Sequence, residues 1–81
     1  MVLVILETDY RDGETIVIGV ASNRANALKL VDEYYGEQRV IVNFTDIRDS
    51  GLDCSFGIEV DDYRCSISIQ DFELDKLWRD K

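Results

Sequence analysis

Residues 54–70 read CSFGIEVDDYRCSISIQ, two alternating runs on either side of Asp61-Asp62. Alternation of apolar and polar residues is the mark of a strand with one buried face. Cys54, Phe56, Ile58 and Val60 point one way, and Cys65, Ile67 and Ile69 share the corresponding face of the second run. A two-residue turn at Asp61-Asp62 sets Ile58 opposite Cys65 and Cys54 opposite Ile69. The cysteines are then about 13 Å apart along the strand, whereas a disulfide needs Cα atoms within about 7 Å. Both are predicted to be free core thiols, as in a reducing compartment. After Gln70 the phase slips, and a bulge is expected near Asp71 ahead of Phe72 and Leu74.

Upstream of this hairpin, Val2–Tyr10 reads as a strand that is apolar on both sides, and therefore central in its sheet. Asp12-Gly13 is a turn signal, and Glu14–Val20 returns antiparallel to the first strand. Ser22 is the expected N-cap of a helix that runs to Tyr35 and stops at Gly36. Its apolar arc holds Ala25, Ala27, Leu28, Val31 and Tyr35, a face that must cover a sheet. Arg39–Ile47 is a third strand with Val40, Val42 and Phe44 on one face, and residues 48–53, RDSGLD, are a loop by composition. Leu77 and Trp78 stand at helical spacing from Leu74, so a short C-terminal helical turn is expected. The predicted fold is α+β: an antiparallel sheet of about five strands in the order ββαβββ, with one main helix on one face.

The 81 residues contain no proline, repeat or low-complexity tract, so a single domain, 1–81, is expected. Hydrophobic content of 46% suits an ordered chain. The opening MVLVIL is too short for a membrane span and lacks the basic flank of a signal peptide. A cytoplasmic location is expected, the host's cytoplasm if the chain is phage-encoded.

Net charge is −8 and unevenly placed: residues 46–75 carry nine acids and two bases. Such a field repels nucleic acid and acidic membranes and speeds encounter with basic surfaces. Catalysis is poorly supported. With no histidine, the commonest general base and nucleophile activator is missing, and no glycine-rich phosphate loop occurs. No catalytic or cofactor-binding residue is predicted, and no cofactor. Two cysteines without further soft ligands make no zinc site. Asp46, Asp49 and Asp53 invite a calcium reading, but their spacing departs from an EF-hand loop and no closing Glu follows, so no metal site is expected.

The acids are left with contact to a partner or with solubility alone. Glu59, Asp61 and Asp62 at the hairpin tip are the expected partner-binding cluster, joined by Asp49 and Asp53 on the preceding loop and Asp46 beside it. Rigid carboxylates can imitate a row of phosphates, because arginine forks and lysines accept either anion. The expected partner is a basic protein, of a kind that handles nucleic acid. The alternative is a small domain that binds a partner or itself through apolar surface while its acids serve solubility.

VLVILETDYRDGETIVIGVASNRANAL (residues 2–28), closing with ISIQDFELDKLW (residues 67–78), resembles a family of short uncharacterised bacterial and phage proteins, the likeness covering residues 2–35 and 67–78. The shared frame is an opening apolar strand, an Asp-Gly turn, a strand ending I-G-V-x-S into an alanine-containing helix, and a closing aromatic-x-L-D. The middle, Gly36 to Ser66, is longer than that frame and holds most of the excess acid. The family implies no catalytic residues. By size and charge the chain is also similar to the acidic inhibitors, anti-CRISPR proteins among them, that phages use against host nucleases. That likeness implies a host defence protein as the partner.

Overall fold

The described residues of the computed structural model, 2–49 and 52–72 with the side chains of 47–49 excepted, form five strands and a helix. In chain order these are β1 (Val2–Asp9), β2 (Thr15–Ala21), α1 (Arg24–Tyr35), β3 (Val40–Asp49), β4 (Leu52–Val60) and β5 (Tyr63–Phe72). The ββαβββ order is the expected one, and the strands make one antiparallel sheet ordered β2-β1-β5-β4-β3. The helical turn anticipated near residues 74–78 lies outside the described residues.

The β4–β5 hairpin has the predicted register, with Ile58 opposite Cys65 and Cys54 opposite Ile69. Asp61 supports the tight turn with φ of +52°, a region that aspartate tolerates better than most residues. Both cysteines are buried and unpaired. The bulge, however, falls on β4 and not near Asp71. Leu52 pairs with Gln70 and Cys54 with Ile69, leaving Asp53 as the extra residue. β5 keeps its phase against β1 through Phe72, which lies opposite Val2. The apolar Phe72 therefore marks the other face of the sheet rather than a slipped strand.

β5 is the central strand, with β1 beside it in the interior of the sheet. Leu3, Ile5 and Glu7 of β1 are buried on the helix side. Val4 and Leu6 line the opposite face with Val17 and Phe72. β1 is thus paired on both edges, as its two-sided apolarity predicts, and its open face contributes to an apolar patch.

The helix begins one residue later than expected. Asn23, in extended backbone, is the N-cap and its side-chain oxygen accepts from the Asn26 N–H at 2.8 Å. Ser22 instead accepts from the Asn26 side chain at 3.2 Å. Gly36 ends the helix at φ +84°, a conformation suited to glycine, and its N–H bonds the Asp32 carbonyl. Ala27 and Val31 are fully buried, with Leu28, Leu30 and Tyr35 packed beside them. Ala25 faces water instead of the core, because the helix rests on the β2 and β1 side of the sheet.

β3 also departs from simple alternation. Asn43 takes φ of +53°, and the β3–β4 register shifts between Val42 and Thr45. This turns Phe44 away from Val40 and Val42, onto the helix side, where its ring stacks on Phe56 at 5.6 Å. Val42 stays on the open face above Gly57, where a Cβ would sit 2.8 Å from a Val42 methyl. Arg48 and Asp49 belong to β3, and Leu52 and Asp53 to β4, so strand takes most of the expected 48–53 loop.

Candidate functional site: an acidic end built from three turns

Antiparallel pairing brings the turns β1–β2, α1–β3 and β4–β5 to one end of the sheet. Each brings three acids: Asp9, Asp12 and Glu14 from the first, Asp32, Glu33 and Glu37 from the second, and Glu59, Asp61 and Asp62 from the hairpin. The helix C-terminus points to the same end, adding the negative pole of its dipole, with no basic residue in the last helical turn. Among the described residues, each arginine at this end has a local carboxylate. Arg11 approaches Asp9 at 3.6 Å, Arg39 pairs with Asp32, and Arg64 lies 4.0 Å from Glu59.

Some of these acids also build the turns. Asp9 accepts the N–H of Arg11 at 2.8 Å, and Asp12 accepts the N–H of Glu14 at 2.9 Å. Asp61 and Asp62 stand exposed at the hairpin tip, and Glu59 is half-buried on the strand beneath them. Asp61 and Asp62 adjoin Arg11 of the first turn and Tyr34 and Tyr35 of the helix end.

Asp46 and Asp53 do not join it. They lie at the opposite end of the sheet, roughly 20 Å away along β4 at the usual rise per residue. There they grip Arg24 in the first helical turn. Arg24 Nε donates to Asp53 Oδ2 at 2.7 Å and Nη2 donates to Asp46 Oδ1 at 2.8 Å, with a further bond to the Asp53 carbonyl at 3.1 Å. The bonds to Asp46, then to Asp53, hold the guanidinium above the usual arginine range. Asp49 closes β3 opposite Leu52, with its side chain outside the described residues.

Beneath the acidic end is a buried polar chain that sequence reasoning missed. Cys65 Sγ donates to Tyr35 Oη at 3.3 Å, and Tyr35 Oη donates to Glu7 Oε2. Glu7 is only 6% exposed. Burial pushes the Tyr35 and Tyr63 hydroxyls up, and hydrogen bonding with Glu7 adds to both shifts. Burial also raises the Cys65 thiol, partly opposed by its bond to Tyr35. The signal was in β1: period two puts Glu7 on the face of Leu3 and Ile5, where a carboxylate must find donors.

Above this chain opens a cavity of about 460 Å³ lined by Arg11, Tyr34, Tyr35, Tyr63, Asp61 and Asp62. A second hollow, of about 280 Å³, lies on the open face between Val4, Leu6, Val17 and Phe72. No group of three or more metal-ligating side chains converges among the described residues. No described helix is long and apolar enough to cross a membrane.

Comparison with protein-family models, curated proteins and solved structures finds no match.

Proposed function

We propose that the chain is a non-enzymatic binding protein that docks its acidic end on a basic protein surface. The observation that carries this reading is the convergence of acids from three separate turns on one end of a rigid sheet. Strand pairing fixes the backbone that carries these acids, and turn hydrogen bonds hold the carboxylates of Asp9 and Asp12, which lowers the ordering that binding requires. Such an array presents to arginine and lysine what a phosphate row presents, which favours a nucleic-acid-handling protein as partner. Inhibition of a host defence protein, as by the small acidic phage inhibitors, is the finer form of the same reading. Asp46 and Asp53 take no part in it, being engaged with Arg24.

A variant carrying Glu59→Lys, Asp61→Asn and Asp62→Lys tests the reading, with Asn kept at the position whose φ is positive. Affinity capture from a bacterial lysate, at low and high salt, is the measurement. Basic nucleic-acid-handling proteins should be captured by the parent, released as salt rises and lost with the variant. The same proteins on both baits, at every salt, would refute it.

One observation favours a second reading. Val17 and Val20 of the edge strand β2 are more than half exposed, next to the hollow between Val4, Leu6 and Phe72. Binding through this apolar face would leave the acids to serve solubility, and capture would then survive both salt and the tip substitutions.

A further inference from the structure

We propose that the cavity at the acidic end takes the guanidinium of an arginine side chain from the basic partner. This inference rests on the docking reading above and narrows it to one residue type. The cavity is an open one whose lining combines Tyr34, Tyr35 and Tyr63 with Val60, Asp61 and Asp62. Aromatic faces attract a cation through their quadrupole, and carboxylates receive the N–H fork that a guanidinium offers. The last turn of α1 contributes Tyr34 and Tyr35, so the negative end of the helix dipole adjoins the opening. Glu7 lies behind, bonded by Tyr35.

The chain already places a guanidinium beside this cavity. Arg11 is among its lining residues, its side chain 81% exposed and in only distant contact with Asp9 at 3.6 Å. A long side chain so exposed can swing aside when another cation arrives. Lysine fits less well. Its ammonium is a compact, strongly hydrated charge, whereas the planar guanidinium stacks on a ring and bonds two acceptors at once.

The probes are fluorescent octa-arginine and octa-lysine peptides, titrated into the full chain by anisotropy at low and moderate salt. Both carry the same charge, so steering alone binds them equally. The expected result is that octa-arginine binds about threefold tighter, the scale of a cation–π contact at an exposed site. Tyr34→Leu leaves the charge unchanged at a half-exposed position. It should remove most of the preference while octa-lysine affinity stays the same. Asp61→Asn with Asp62→Asn, which keeps the turn geometry, should weaken both peptides and octa-arginine more. Equal affinities in the parent, or a preference that survives Tyr34→Leu, overturn the arginine pocket and leave the docking reading standing. Failure of both peptides to bind at low salt overturns both readings.

Discussion

Arg24 Nε meets Asp53 Oδ2 at 2.7 Å, tying the first turn of the helix to a strand bulge 29 residues further on. The bulge and the ion pair belong together. The extra residue in β4 lets Asp53 leave the pleat's alternation, and Asp46, opposite Cys54, completes the clamp. Two of the acids in the most acidic part of the sequence are thereby part of the fold.

Replacing Arg24 with Gln should lower stability by about 2 kcal/mol, the scale of charge-assisted hydrogen bonds that are part-buried. Arg24→Lys should recover less than half of that loss, because one ammonium cannot serve both carboxylates and the Asp53 carbonyl. Urea unfolding midpoints of the three proteins measure both effects. Unchanged midpoints would mean the clamp is electrostatically neutral.

Burial, with a smaller contribution from the Asp53 charge, pushes the Cys54 thiol up to about 11 from its ordinary 9.0. In that interval the unfolded chain has released this proton while the folded chain retains it. Stability is therefore complete below pH 9 and falls as pH rises toward 11, at about 1.4 kcal/mol per pH unit for this thiol. Cys54→Ala should reduce the slope by this thiol's share and leave that of Cys65, read from thermal unfolding between these pH values. In neutral buffer a thiol reagent should find no reactive cysteine in the folded chain and two after unfolding.

At the hairpin tip, Asp61 holds φ of +52°. Asp61→Gly and Asp61→Asn should leave stability within about 0.5 kcal/mol, whereas Asp61→Val should cost about 1–2 kcal/mol through its branched Cβ. Thermal melts of the three variants decide this. A harmless valine would mean the turn relaxes into another type.

Gly57 makes room for Val42 on the open face, where an added Cβ would stand 2.8 Å from the Val42 methyl. Gly57→Ala should destabilise by about 1–2 kcal/mol, since valine's stiff χ1 offers little relief. Adding Val42→Ala should return part of the loss, giving a favourable coupling in a double-mutant cycle. Additive effects would place the strain elsewhere.

The features legible in the chain alone are local in origin. The pairing of Ile58 with Cys65 and of Cys54 with Ile69 follows from a two-residue turn and period-two alternation, and it excludes the disulfide. Gly36 as the helix stop and the ββαβββ order are legible for the same reason, since both depend on neighbours along the chain. Tertiary structure decided the rest. β5 enters between β1 and β4, and this nonlocal choice brings three acidic turns together while sending Asp46 and Asp53 to the far end. Phe44 turns over because Asn43 adopts positive φ against β4, and Ala25 faces water because the helix settles on β2 and β1. Glu7 is tolerable in the core because Tyr35, 28 residues away, donates to it and Tyr63 bonds it as well. Alternation tells each side chain which face it occupies, but not which distant donor or charge will meet it there, because that depends on contacts between elements far apart in the chain.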